Sequence, residues 1–424
     1  MSIHVVKPGE TLWTISNLYN TTIESIAEVN GLQQAADIVP GLALYIPDKS
    51  SLPRSYRIKP GDSLWSIAEN FDTNVNEIIV MNPGLRQSNL TINQIILVPS
   101  TIPPSIETLG FAFPASNEMM INYIKEVSNQ LTYLAIVAYT FNENGVVLLA
   151  GGDDTPLVTA SREQNVVPLL MIRNFVDDEF NSELAGTILA DEVKRIQLAN
   201  SITTVVNKKE YGGVSIDFEF IPPTQRQNFI LFLRELKRRL GTKILHVNVH
   251  AKTEENLTNR ITGGYDYAAI GREADIVAVM TIDYGYPTGP PNPVSPIWWM
   301  DEVIQYATSL IEPSKLQMAL PLYGYEWWGE QNQTKGHSNL AAQNLAITKK
   351  ETIYYDAEEA APWFAFMVEN EQHIVWFDDI QSFQRKYQLM DSYQLLGTTL
   401  WHVGLAFPQN WSYLNDYFII EKKQ

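Results

Sequence analysis

The sequence predicts an α/β protein: a (β/α)8 TIM barrel with a small α+β insertion, preceded by two small βααβ modules. Three observations predict it. Eight apolar, strand-like runs recur, most of them separated by helical stripes, over roughly the last 320 residues. The first hundred residues repeat at an offset of 52. One strand-like run, residues 211–220, alternates strictly and carries two acids on one face.

The repeat comes first along the chain. Lys7-Pro8-Gly9-Glu10-Thr11-Leu12-Trp13 returns as Lys59-Pro60-Gly61-Asp62-Ser63-Leu64-Trp65, and Asn30 returns as Asn82. Pro-Gly marks a turn, and Thr11 and Ser63 are natural helix N-caps. Each copy therefore reads strand, turn, helix, helix, strand. The modules span 1–49 and 54–101, and the barrel spans 105–424. The polar stretch Asp48–Leu52 and the proline-rich stretch Thr101–Ser105 are expected to hold the modules off the rest of the chain.

Barrel strands are expected at 107–114, 131–141, 166–175, 212–220, 244–250, 274–284, 316–325 and 395–401. Helical patterns fall at 117–131, 184–208 and 224–240, among others. The gap at about 326–373 is too long for a connection and holds strand-like runs of its own, so it reads as an insertion forming a wall of the cleft.

In residues 211–220 the period of two separates Val214, Ile216, Phe218 and Phe220 from Ser215, Asp217 and Glu219. Two carboxylates one pleat apart cannot both ionise freely, so one is pushed to keep its proton near neutral pH. That is what an acid catalyst needs. Pro222 and Pro223 end the strand, which puts the pair at the carboxyl end of a barrel strand, where such enzymes keep their chemistry. Thr224 and Gln227 have the spacing of a capping box for the next helix, and Gly241 is placed to stop it.

Composition narrows the function class. The net charge is −18, which argues against nucleic acid as a partner. No run of apolar residues is long enough to span a membrane, and Met1–Lys7 contains no apolar core of a standard secretory signal. Cysteine is absent, so disulfides and thiolate chemistry are excluded. No metal-ligand pattern is visible and no cofactor is expected. His246 and His250 lie four apart in an alternating strand, and read as core or pocket-wall residues. A monomer is expected.

The Pro-Gly-(Glu/Asp)-(Thr/Ser)-Leu-Trp openings, with their Ile46-Pro47 and Val98-Pro99 endings, closely resemble LysM modules. The resemblance implies binding to polymers that contain N-acetylglucosamine. The fourth strand resembles the Asp-Gly-x-Asp-x-Asp-x-Glu motif of glycoside hydrolase family 18, the chitinase-like enzymes. The last two acids stand as Asp217 and Glu219, while Gly212 and Ser215 replace the first two. The resemblance implies that Glu219 is the general acid/base and Asp217 its partner.

Met280-Thr281-Ile282-Asp283 aligns with the family's sixth strand, with Ile282 where a tyrosine is usual. Tyr323 and Trp401 fall at cleft positions of strands seven and eight, Trp401 as the floor under the cleaved sugar. Asn174 and Tyr139 are further candidates for substrate binding. Tandem LysM modules with this strand, with Gly289-Pro290-Pro291 and with Ser295-Pro296, are similar to the spore cortex-lytic N-acetylglucosaminidases of the SleL/YaaH type. That similarity implies cleavage of cortex peptidoglycan during germination, substrate-assisted and retaining, at the coat/cortex boundary of a bacterial spore. The alternatives are a chitinase-like lectin or a structural spore-coat protein.

Overall fold

In the computed structural model, eight parallel strands close on themselves. They are β1 (Ser105–Ala112), β2 (Tyr133–Phe141), β3 (Val167–Arg173) and β4 (Gly213–Asp217). The circle continues through β5 (Ile244–His250), β6 (Ile276–Met280), β7 (Leu316–Pro321) and β8 (Gly397–Trp401). Parallel pairing runs from β1 around to β8 and back to β1. The structure describes residues 2–32, 38–47, 53–86, 88–100, 102–114 and 117–423.

Strand alternation divides the core in two. Leu109, Phe111, Tyr133, Ala135, Val137, Leu169, Met171 and Ile276 fill the barrel interior. Leu134, Ile136, Val214, Ile216, Phe218, Leu245, Val247 and Val249 face outward and pack under the helices. The helix after β4 is Arg226–Leu240, which buries Phe229, Phe232, Leu233, Leu236 and Leu240. Gly241 stops it at φ 62°, as its position predicts. The Thr224 capping box does not form. Pro223–Gln225 make a 3-10 turn instead, and Gln225 begins the helix without a side-chain cap. The expected helix 184–208 is two helices, Ser182–Ala190 and Glu192–Lys208, because Asp191 leaves helical geometry and caps the second one.

The insertion is a five-stranded antiparallel sheet with one helix, Asn339–Lys349. Its first strand is Tyr323–Trp328, so the run expected as one strand through 325 breaks after Pro321. The break carries Tyr323 and Tyr325 out of the barrel and onto the cleft wall.

Each N-terminal module repeats the other in detail. Asn30 Nδ2 donates to Ile26 O and Tyr45 O, while its Oδ1 accepts from Tyr45 N. Asn82 makes the same three bonds with Ile78 and Leu97. Thr11 and Ser63 both cap their helices. Gly9 and Gly61 turn at φ 85° and 90°, a conformation that side chains with a Cβ rarely adopt.

The modules are not held off the rest of the chain, contrary to the expectation for the linkers. The first shares one hydrophobic core with the insertion: Leu12, Ile15, Ile26 and Leu44 pack with Ala342, Ile353, Phe364 and Phe377. Gln409 Nε2 reaches into it, donating to Asn30 Oδ1 and Ala43 O. The second docks through polar contacts. Arg54 forks onto Asp391 at 2.9 and 2.6 Å, and Arg57 stacks over Tyr393 at 4.2 Å and meets Asp301. The stretch 48–52 lies outside the described residues. Linker composition carries no information about the faces on either side of it, which is why the docking was illegible there.

Candidate active site

The acid pair sits where β4 leaves the barrel. Asp217 is the last residue of the strand and is buried. Glu219 follows on the irregular exit, with its side chain 16% exposed. The strand was expected to run through Phe220 but stops at Asp217, and side chains take over from the ladder. Asn174 Oδ1 accepts from Glu219 N at 2.8 Å, and its Nδ2 donates to Glu219 O at 2.9 Å. Tyr265 donates to Phe218 O, and Ser182 to Phe220 O. Phe220 takes φ 53° and turns out of the apolar set, its ring 5.4 Å from that of His250. Phe218 stays in the set, stacked on Phe232.

Burial raises the carboxyl of Asp217 well above the ordinary carboxylate range. The charge of Glu219 pushes the same way, and Arg173 opposes both. Beneath the pair, where the family motif carries another acid, Ser215 Oγ meets His246 Nδ1 at 2.9 Å and Asn248 Nδ2 at 3.2 Å. Burial lowers His246 to about 3, so this layer is neutral at physiological pH. Asp217 therefore has no second carboxylate below it with which to share a proton.

Across the cleft stands a second acidic position. Asp283, at φ 62°, accepts from Tyr323 Oη at 2.6 Å and faces Tyr325 Oη at 3.5 Å. Desolvation raises its carboxyl, the bond from Tyr323 counteracts, and Glu219 adds to the rise. Ile282 leaves its position without a hydroxyl, and Tyr284 packs against Trp298 and Trp299. Trp401 closes β8, half-buried, with Phe111 at 5.1 Å and Phe113 at 5.9 Å between ring centres. Phe113 in turn faces Arg173, which is paired in register with Asp217. The structure thus gathers Asp217, Glu219, Asp283, Tyr323 and Trp401 around one cleft at the carboxyl ends of the strands.

Two of the expected residues have other surroundings. Asn174 is fully buried and its amide is committed to backbone groups, including Asn181 O. It acts on the site through the backbone of Glu219. Tyr139 is not in the cleft. Its hydroxyl donates to the buried Asp154, which also accepts from Tyr211 and Lys209. The cause is a bulge in β2: Val137 pairs with Met171 but Tyr139 with Ile172, so one residue is skipped and Tyr139 is turned to the outer face. Alternation counted along the sequence cannot see a bulge.

Two residues not named as site residues from sequence also lie here. His250, at the end of β5, brings Nε2 within 3.1 Å of Glu219 Oε2, though without hydrogen-bond alignment. The alternation of His246, Asn248 and His250 already placed it inward. Arg173 ends β3 beside Asp217. Counting along β3 from the buried Leu169 and Met171 would have placed it inward too.

A closed parallel barrel with two acids leaving one strand at its carboxyl end fits a glycoside hydrolase. The chain belongs to glycosyl hydrolases family 18, whose model matches residues 179–406, and the LysM model matches residues 4–47 and 56–99. It is 33% identical over 435 residues to a cortical fragment-lytic enzyme of Bacillus subtilis, covering all of this chain and 99% of that protein. A cortical fragment-lytic enzyme of Bacillus anthracis is 31% identical, with both chains fully covered. The crystal structure of the Bacillus cereus spore cortex-lytic enzyme SleL superposes with a TM-score of 0.86 at 31% identity, over 99% of this chain and 98% of that one.

Proposed function

We propose that the chain hydrolyses the β-1,4 bond that follows N-acetylglucosamine in spore-cortex peptidoglycan, by substrate-assisted catalysis with retention. The observation that carries this reading is the placement of the acids. Asp217 and Glu219 leave the same strand together, so they do not flank a sugar ring as a nucleophile and an acid must in a two-carboxylate retaining enzyme. The nucleophile is then the substrate's own 2-acetamido oxygen.

In this mechanism that oxygen attacks the anomeric carbon while Glu219 gives its proton to the departing glycosidic oxygen. Asp217 holds the acetamido N–H and stabilises the oxazolinium ion. Glu219, now ionised, takes a proton from water, which attacks the anomeric carbon and restores the acetamido group. Asp283 and Tyr323 bound the cleaved sugar opposite Glu219, and Trp401 supports its face. No cofactor takes part.

The LysM modules retain the glycan. Trp13 and Trp65, equivalent in the repeat, are 66% and 60% exposed and offer flat apolar faces to sugar rings. Two linked modules multiply weak single-site affinity through effective concentration. The enzyme acts as a monomer at the coat/cortex boundary of the spore. Incubating the full chain with cortex fragments and sequencing the products by mass spectrometry tests the reading: reducing N-acetylglucosamine ends support it, and reducing muramic acid ends refute it.

A further inference from the structure

The acid of the proposed mechanism stands against a histidine that no step of that mechanism uses. His250 ends β5, which lies between β4, beyond which Glu219 stands, and β6, beyond which Asp283 stands. Its Nε2 is 3.1 Å from Glu219 Oε2. That nitrogen is buried and, among the described residues, has no aligned hydrogen-bond partner. The ring packs against those of Phe220, at 5.4 Å, and Tyr265, at 5.7 Å. Tyr265 is itself pinned by its bond to Phe218 O, and Tyr267 donates to His250 O at 2.6 Å. A buried nitrogen left unpaired is costly, and here the group at hand to pair it is the catalytic acid. The terminal torsion of a glutamate is soft, so the misalignment is cheap to remove.

The other charged and titratable groups around this contact have their own places. Arg173, on β3, acts on Asp217 and Glu219 together. Asp283 feels the charges of both Glu219 and His250 from the far side and is bonded by Tyr323. Tyr265 feels Glu219 and Asp217. Lys252 and Arg226, beyond the end of β5, are spent on Glu255 and on Tyr265 O. One layer down, His246 is neutral and Ser215 offers no carboxylate to exchange a proton with. His250 is the base that meets the acid directly.

Resting on the reading of Glu219 as the general acid, we propose that His250 is a positioning residue that shares one proton with Glu219 in the free enzyme, Oε2–H···Nε2 exchanging with Oε2⁻···H–Nε2⁺. The proton only changes owner, so the pair has no net charge in either form and no other reactant is needed. When the glycan is cleaved the proton leaves through Glu219 to the departing oxygen, and neutral His250 stays behind. Groups that share a proton lose it in steps that belong to the pair. Two sites hold the last proton to higher pH than Glu219 alone does, so His250 extends activity toward alkaline pH.

The test follows kcat/KM on soluble cortex fragments against pH for the full chain, for His250→Phe, which keeps a ring in the aromatic slot, and for His250→Gln, which keeps a polar group that does not titrate. In both variants the alkaline limb should move toward acid pH by about one unit or more, with the rate on the acid side retained. Thermal melting run in parallel identifies folded variants. A second measurement leaves His250 in place: nitrogen NMR of the histidine-labelled full chain, its His250 signal identified by absence in either variant. In Glu219→Gln the ring should release its proton at lower pH than in the wild type, by about one unit or more. An unmoved limb in the His250 variants overturns the proposal, as does a His250 titration that Glu219→Gln leaves unchanged. A loss of rate equal at every pH also overturns it and makes His250 a packing residue. If Glu219→Gln turns over substrate like the wild type, the acid assignment itself fails and this inference with it.

Discussion

Asn174 holds Glu219 by both ends of its backbone, accepting from its N–H at 2.8 Å and donating to its carbonyl at 2.9 Å. The bond to Asn181 O anchors the same amide to the loop that follows β3. A residue just past the end of β3 thus fixes the acid just past the end of β4, where the ladder between the two strands has ended.

Asn174→Ala should therefore lower kcat by about 10²-fold with little change in KM, because the acid is displaced while the sugar contacts remain. Steady-state kinetics on soluble fragments read this directly. A change confined to KM would show that Asn174 binds substrate instead.

Glu219→Gln should remove activity by about 10²–10⁴-fold or more, since the transferable proton serves both steps. Melting temperature and retention on insoluble cortex should be unchanged. Turnover close to wild type would remove Glu219 from the mechanism.

Asp217→Asn should stabilise the fold at neutral pH while impairing catalysis. The folded carboxyl is raised by burial, so the native state holds its proton more tightly than the unfolded chain does. Stability from this group is then complete below the unfolded value of about 3.9 and is lost as pH rises through the folded value. Each pH unit between those two values is worth about 1.4 kcal/mol. The gain of the variant over wild type should appear at neutral pH and vanish below about pH 4. Chemical denaturation at the two pH values measures it, and a gain of equal size at both would contradict the assigned cause.

The LysM modules should contribute to stability as well as retention. Deleting residues 2–47 strips the cover from Phe364, Phe377 and Ile353, and should lower the melting temperature and expose apolar surface to a dye. Arg54→Ala leaves Asp391 buried without its partner and should cost about 3 kcal/mol. An unchanged melting temperature in both would mean that the modules are independent of the barrel.

What could be read in advance follows from the range of the interactions. The β4 alternation as far as Phe218, the Asn30/Asn82 repeat, the Thr11 and Ser63 caps and the Gly241 stop depend on neighbours close in sequence, and each appears in the structure, whereas Phe220 departs from the alternation. The displacement of Tyr139 needed knowledge of a bulge paired against β3. The Thr224 box lost to a 3-10 turn begun by Pro223. Asn174, His250 and Arg173 acquire their surroundings only when β3, β4 and β5 are set side by side. Docking of the modules depends on surfaces far apart in sequence, from Arg57 with Asp301, 244 residues apart, to Tyr45 with Asp416, 371 apart.

The central claim is that the substrate's acetamido oxygen is the nucleophile and Glu219 its acid. The most direct measurement is product analysis by mass spectrometry on two matched cortex fragments, one intact and one de-N-acetylated at its glucosamine residues. The account predicts reducing N-acetylglucosamine ends from the first and no cleavage of the second. Equal cleavage of both, or fragments ending in reducing muramic acid, would contradict it.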